Sequence, residues 1–426
     1  MKILILGATG FIGSAVFDRL VADGHAVTGL GRHVARARLK RPQAQWLVAD
    51  LARMRAESDW RSLIESHDVI VNCAGALQDG MADDVAALQE AAMLALYKAA
   101  KPSPIRIVQI SAPQGGAGSD SAFLATKFRA DKALAESGVE HVILRPALVL
   151  GRNAHGGSAL LRALSALPFA IPLVHAEARV ETVTLNDVAE AVSAAASGLL
   201  PNGSDLTLGH PQPQTLAELV ALHRQWLGLP PAPIVRLPAF FAAPVGFAAD
   251  IAGRLGWRSP LRSTALAVMA GGVSATNAAR APGPFSSAHQ GLSANPSGVQ
   301  DLWFARLYVL KPVLITGLSL FWLLSGIIPF FSFEEARQHF LRFLADGPAT
   351  VLMLATCLAD IALGIAVLVR PFARRALLGM LGLTAAYLAS ATAIEPELWG
   401  DPLGPLVKVL PSLLATLATL AILDER

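Results

Sequence analysis

Three glycines at a spacing of three, Gly7, Gly10 and Gly13, stand between an apolar run at residues 3–6 and a stretch with Ala15, Val16, Leu20 and Val21 at helical spacing. A strand, a glycine turn and a helix start in this order can hold a pyrophosphate. Gly7 permits the tight turn, Gly10 lets the phosphates approach the backbone, and Gly13 lets the helix pack close to the strand with its N-terminus facing the phosphates. A second run, 25–30, is followed by Gly31 and Arg32. A carboxylate at this place serves the ribose hydroxyls of NAD, whereas an arginine fork pairs with a 2′-phosphate. The sequence therefore favours NADP(H) over NAD(H). Arg38, Lys40 and Arg41 behind it read as a solvated basic loop. Asp50, after a third run, is placed either to accept from an adenine amino group or to cap a helix. The small residues of Asn72-Cys73-Ala74-Gly75 would let the backbone lie against a cofactor.

These residues need a scaffold that brings strand ends together. Apolar runs at 45–48, 68–71, 105–110 and 141–144 continue the series, with helical patterns at 51–65, 83–100 and 127–137 between them. Such alternation predicts an α/β doubly wound parallel sheet with its ligand at the carboxyl ends of the strands. A net charge of +3 gives no reason to expect nucleic acid. The two cysteines, Cys73 and Cys357, both lie in apolar segments and suggest neither a disulfide nor a metal site. The strand starting at residue 2 leaves no signal-peptide pattern, so the first domain is expected in the cytoplasm.

Gly7-Ala-Thr-Gly10-Phe-Ile-Gly13, Asp50-Leu51, Asn72-Cys-Ala-Gly75, Ile110-Ser111-Ala112 and Leu144-Arg-Pro146 together resemble an extended short-chain dehydrogenase/reductase, and Thr184-Leu-Asn-Asp187-Val-Ala189 is similar to a later segment of that family. The resemblance covers about residues 1–270. It implies a Rossmann fold that binds a nicotinamide dinucleotide through Gly7, Thr9, Gly10, Phe11, Ile12, Gly13, Arg32, Asp50, Leu51, Ala74, Lys127 and Pro146. Many members use a serine, a tyrosine and a lysine four residues after the tyrosine. Ser111 and Lys127 match the first and last, as candidate catalytic residues, but Phe123 stands in the tyrosine's place. Phenylalanine has no proton to exchange during hydride transfer. In this respect the chain resembles the atypical subgroup that includes the complex I accessory subunit, in which the lysine's counterpart can still bind the ribose. Ser119, Ser121 and Thr126 are the nearby hydroxyls.

From about residue 151 a small substrate lobe is expected, with a crossing loop at 151–157, helices at 160–167, 187–198 and 215–227, and a short strand at 206–208. Thr215 and Glu218 have capping-box spacing. His155 and His175 are pocket candidates. The segment 229–244, with Phe240, Phe241, Phe247 and Trp257 near it, either packs inside the lobe or lies against a membrane surface or the next domain. Residues 278–298 have linker composition.

Four apolar segments follow, at 308–331, 349–369, 376–394 and 406–423, each near the ~20 residues that cross a bilayer core. Residues 333–344 read as an interfacial helix. Arg370, Arg374 and Arg375 place the loop between the second and third segments in the cytoplasm, and Glu395, Glu397 and Asp401 suit the other side. Both termini are then cytoplasmic, in a bacterial inner membrane. Asp360 and Lys408 are ionisable groups in or near the membrane, where they either pair structurally or handle a quinone or protons. Trp322, Gly326, Asp360-Ile-Ala-Leu-Gly364 and 401–411 resemble the DoxX-like membrane family, whose four-helix unit is associated with quinone-linked and redox proteins. The sequence reads as an NAD(P)-binding domain (1–277), a linker (278–305) and an all-α four-helix transmembrane domain (306–426). A lipophilic small molecule, a quinone or a membrane redox complex is the expected partner.

Overall fold

The first strand, β1 (Lys2–Leu6), buries Ile3 and Ile5 in one apolar cluster and Leu4 and Leu6 in another. A strand covered on both faces belongs inside a parallel sheet. Six more strands complete it: β2 (Ala26–Gly31), β3 (Gln45–Val48), β4 (Val69–Asn72), β5 (Arg106–Ile110), β6 (Glu140–Pro146) and β7 (Ser204–Leu208). All pairings are parallel, in the order β7-β6-β5-β4-β1-β2-β3. The strand order reverses at β1, between β4 and β2, and the crevice at such a reversal is where doubly wound sheets bind ligands. The helix α1 (Phe11–Ala22) covers one face, and helices Ala92–Ala100 and α2 (Ala122–Glu136) cover the other. The structure, a computed structural model, describes residues 1–75, 80, 84–113, 122–273 and 279–424, with the backbone alone at Ala122, Phe123 and Val268.

The chain divides into two units: Met1–Asp250 with Ser259–Ala305, and Ile251–Arg258 with Arg306–Arg426. In the first, the helix expected at 51–65 is broken into the 3-10 turns Leu51–Arg53 and Glu57–Asp59 and the short helix Arg61–Glu65. Asp59 accepts from the Ala56 N–H at 2.9 Å, restarting the chain midway. The lobe is built on α3 (Gly157–Ser165) and α4 (Leu216–Trp226), with Leu161, Ile171, Leu173, Leu219 and Val220 in its core. The capping box is present: the Glu218 N–H donates to Thr215 Oγ1 at 3.1 Å, and the Thr215 N–H to Glu218 at 2.7 Å.

Within α4, His223 is fully enclosed, with Nδ1 2.8 Å from the Leu219 carbonyl oxygen. Burial, reinforced by Arg162, holds its pKa down at about 4. The unfolded chain takes up this proton near pH 6.5, and the folded chain does so only near pH 4. Stability therefore falls as pH is lowered through that window, by about 3 kcal/mol in all. Denaturation midpoints of the detergent-solubilised chain should show this loss, and His223→Gln should remove that part of the slope.

Residues 279–305 do not form the expected linker but fold onto the first unit. Arg280 donates to Glu181 at 2.8 and 3.1 Å, the Ser286 N–H donates to Asp187 at 2.9 Å, and Trp226 Nε1 donates to the Asn295 carbonyl at 2.8 Å. Arg162, itself buried, donates to Asp301 at 3.2 Å. Proline and glycine keep residues 279–298 to one short helix, Ala288–Ser293, but they do not prevent packing.

Among the described residues, the second unit holds three helices long and apolar enough to cross a membrane: α6 (Val299–Phe331, whose first residues are counted in the first unit), α7 (Asp346–Ala366) and α8 (Arg370–Ile394). The segment expected as a fourth full span is shorter, Val407–Ala421, with α9 (Leu410–Ala421) as its regular part. Gly404, at φ +56°, and the prolines at 402, 405 and 411 keep the helix from starting earlier. Residues 333–344 contain the separate helix Phe333–Leu341.

Candidate functional site

The glycine loop closes over the end of β1. The N–H groups of Gly7 and Ala8 donate to the Leu30 carbonyl at 3.0 and 3.2 Å, and that of Gly10 to the Gly7 carbonyl at 2.9 Å. Gly7 has φ +73°, and a Cβ there would lie 2.9 Å from Ala74 Cα, so the turn and the end of β4 pack backbone to backbone. A Cβ on Gly13 would lie 2.2 Å from the Gly7 carbonyl oxygen. At Gly10 the space is open apart from that same oxygen, and Thr9 and Gly10 are exposed. Gly10 caps α1 with no side-chain partner for the first-turn N–H groups. Open backbone beside first-turn N–H groups that have no side-chain cap, at the positive end of a twelve-residue helix, fits a pyrophosphate.

Around this loop the expected residues fall at the strand ends. Arg32 is exposed directly after β2. Arg38 donates to the Trp46 carbonyl at 3.2 Å and Arg41 pairs with Asp18 at 2.5 Å, so both have structural partners. Asp50, just after the end of β3, accepts from the Ala52 N–H at 3.2 Å in a capping contact, and Leu51 behind it is buried. The Ala74 N–H donates to Asn72 Oδ1 at 3.0 Å, which fixes the end of β4. Pro146 ends β6 beside Leu208. Phe11 and Ile12 are half-buried in the first turn of α1, and His155 stacks on Phe11 at 6.0 Å between ring centroids. His175 stands in a turn at φ +58°.

Ser111 and Lys127 reach the same strand end, but their polar atoms are engaged. Ser111 Oγ donates to Asp131 and accepts from Arg145 at 3.1 Å. Lys127 Nζ donates to the Ile110 carbonyl at 2.8 Å and lies beside Gly75. Burial pulls the lysine's pKa down against the favourable charge of Asp131 and Cys73. Burial pushes the Asp131 carboxyl up, and Arg145 opposes that rise. Ser119 and Ser121 lie outside the described residues, and at Phe123 only helix backbone is described.

The group that sequence reasoning missed is Arg145, 1% exposed. Its guanidinium donates to Asp131 at 2.8 Å, to the Ala112 carbonyl at 3.0 Å, and through a fork to Asp205 at 2.6 and 2.8 Å. It ties α2, β7 and the end of β5 to β6. Only its place in Leu144-Arg-Pro146 marked it, and that spacing does not reveal partners 14 and 60 residues away.

In the second unit, Asp360 is buried on α7 and accepts from Ser325 Oγ on α6 at 2.7 Å and from Tyr387 Oη on α8 at 3.0 Å. Lys408 is exposed in the one-turn segment Val407–Val409. Asp360 therefore takes hydroxyl partners from two neighbouring helices.

The sheet order, the glycine loop and the strand-end residues define an NAD(P)-binding Rossmann domain. Residues 7–197 match the family described as NAD(P)H-binding, and residues 319–417 match the DoxX-like family. The chain thus joins an NAD(P)-binding Rossmann domain to a DoxX-like domain. An uncharacterized protein of Mycobacterium tuberculosis is 27% identical over 243 residues, which cover 55% of this chain and 24% of that protein. A chloroplastic epimerase family protein homolog of Arabidopsis thaliana is 35% identical over 75 residues, 18% of this chain and 21% of that one. The chain spans about a quarter of the length of these curated relatives. Among solved structures, Pal from Bacillus thuringiensis is 17% identical, with a TM-score of 0.52 over 71% of this chain and all of that chain, a likeness of fold. The Bordetella bronchiseptica enzyme WbmH, solved in complex with NAD+, is 21% identical, with a TM-score of 0.46 over 55% of this chain and 85% of that one.

Proposed function

We propose that this protein is a membrane-anchored oxidoreductase of atypical short-chain dehydrogenase/reductase type that passes hydride from NADPH to a lipophilic, quinone-like acceptor. The observation that carries the dinucleotide part is the open backbone at Gly10 beside the uncapped N-terminus of α1. The bound dinucleotide supplies the hydride. Arg32 favours the 2′-phosphate form, and Lys127 orients the ribose at the end of β5. The exchange NADPH + H+ + quinone → NADP+ + quinol balances with a proton from water. It does not require a tyrosine where Phe123 stands. The chain crosses the bacterial inner membrane with α6, α7, α8 and the shorter fourth segment, and both termini are cytoplasmic. The arginines at 370, 374 and 375 support that orientation.

A second reading is favoured by one contact. The Ser111 hydroxyl is already shared between Asp131 and Arg145. A serine engaged in this way is not free to assist a reacting carbonyl, which suits a protein that holds its nucleotide as a sensor or scaffold for a membrane redox complex.

The test is detergent-purified protein with NADPH and a short-chain quinone, following cofactor fluorescence and absorbance, with NADH as control. Binding of NADPH in preference to NADH, then quinone-dependent oxidation, is the expected result. Tight binding with no oxidation by any acceptor would leave the sensor or scaffold, and turnover gained only by Phe123→Tyr would support it further. If neither nucleotide binds, both readings fail.

A further inference from the structure

The segment after strand Ile234–Leu237 presents its apolar side outward. Phe240 and Phe247 are 68% and 67% exposed, and Phe241, Ala243, Pro244, Val245 and Ala248 are exposed with them. The 3-10 turn Ala239–Phe241 and the helix α5 (Ala242–Arg254) carry this side. The inward side is narrow and made of small residues: Gly246 rests against Ser263 and Leu266, and Ala249 is buried. Phe240 and Phe241 stack on each other at 4.4 Å between centroids. No residue from 239 to 249 is charged. A helix facing water puts its polar side outward, and this one does the reverse. An exposed apolar patch of this kind marks a surface that has a partner.

We infer that the apolar side of residues 240–248 docks into the interfacial layer of the lipid bilayer in which the chain's own helices sit. The inference rests on the membrane reading of α6, α7 and α8, each long and apolar enough to span. A chain anchored by such helices keeps its first unit within reach of a bilayer surface at all times, so lipid is the partner always at hand. Aromatic rings on one side of a helix are what an interfacial helix presents to lipid. The face also lacks the polar rim and hydrogen-bonding groups of a protein interface. Charged residues stand only at its borders, Arg236 before it and Asp250 after it.

The experiment uses the full chain in vesicles of phosphatidylethanolamine and phosphatidylglycerol. Single cysteines replace Phe247, Leu39 and Leu320 in turn, each labelled with a small fluorophore, and the unmutated chain gives the background from the two native cysteines. Lipids brominated near the top of the acyl chain report contact with the bilayer, and iodide reports contact with water. Leu320, exposed on α6, and Leu39, exposed in the first unit, are the lipid and water references. The label at 247 is expected to be quenched by bromolipid several-fold more than that at 39, and by iodide several-fold less. Quenching by iodide alone at 247 would overturn the docking. So would shielding from both quenchers, which would mean that a second copy or another protein covers the face. If the label at 320 also escapes bromolipid, the membrane reading itself fails; if 320 is quenched and 247 is not, only the docking fails.

Discussion

Gly13→Ala is expected to bind neither NADPH nor NADH in a fluorescence titration that saturates the unmutated chain. The added methyl would sit 2.2 Å from the Gly7 carbonyl oxygen, a backbone atom that cannot swing aside. That same oxygen accepts from the Gly10 N–H, which sets the curve of the loop. Relief of the clash requires α1 to move off the loop, carrying its first-turn N–H groups away from the phosphates. Forcing a methyl into such a contact costs about 1–3 kcal/mol of stability. Displacing the phosphate donors should weaken binding on the order of 100-fold, about 3 kcal/mol. Gly10→Ala separates the two effects. Its Cβ meets only the Gly7 oxygen, at 3.1 Å, and otherwise occupies the space proposed for the pyrophosphate. That variant should keep near-normal stability and lose affinity. A Gly13→Ala protein that binds dinucleotide as the unmutated chain does would show that the ligand does not use this loop.

Arg145→Met should be the most destabilising single change in the first unit that leaves the glycine loop untouched. The substitution keeps much of the side-chain volume but leaves Asp131 buried without its cation. Removing one partner of a buried ion pair costs about 3–5 kcal/mol. Asp131 already has its pKa raised by burial, with Arg145 as the largest opposing influence. Without that influence the folded-state pKa rises further above the unfolded value. A carboxyl with a raised folded pKa destabilises most when the solution is well above that pKa, and less as pH falls toward it. The variant's deficit in denaturation midpoint should therefore shrink on acidification from neutral pH. The double variant Arg145→Met/Asp131→Leu should recover part of the loss, because an apolar pair carries no desolvation penalty. A deficit that is flat with pH and not relieved in the double variant would mean that the network contributes through packing alone.

The parts of this molecule that could be read from the sequence depend on short-range patterns. The strand runs, the glycine loop, the Thr215/Glu218 cap and the three long apolar helices each fit within a window of a few to about twenty residues, the range over which periodicity and turn chemistry act. What could not be read comes mostly from interactions of longer range. Arg280 and Glu181 are 99 residues apart, so the composition of 278–305 indicated coil but could not indicate that the coil packs. Ser111 matched a family position, yet its hydroxyl is claimed by Asp131 and Arg145, 20 and 34 residues away. The polar partners of Asp360 come from two other helices, and no spacing within α7 announces them.

The return of residues 279–305 to the first unit also sets an order of events during synthesis. Glu181, Asp187, Arg162 and Trp226 all leave the ribosome before the residues that satisfy them: Arg280, Ser286 and Asn295 are made just before the long apolar helix, and Asp301 in its first turn. Domains generally fold as units while the chain is being made. Here the contacts that tie residues 280–301 to the lobe form only as the first long apolar helix begins to be made. A chain cut anywhere between residues 250 and 278 would release a lobe lacking its final strap, and a soluble fragment intended for biochemistry should run through residue 305.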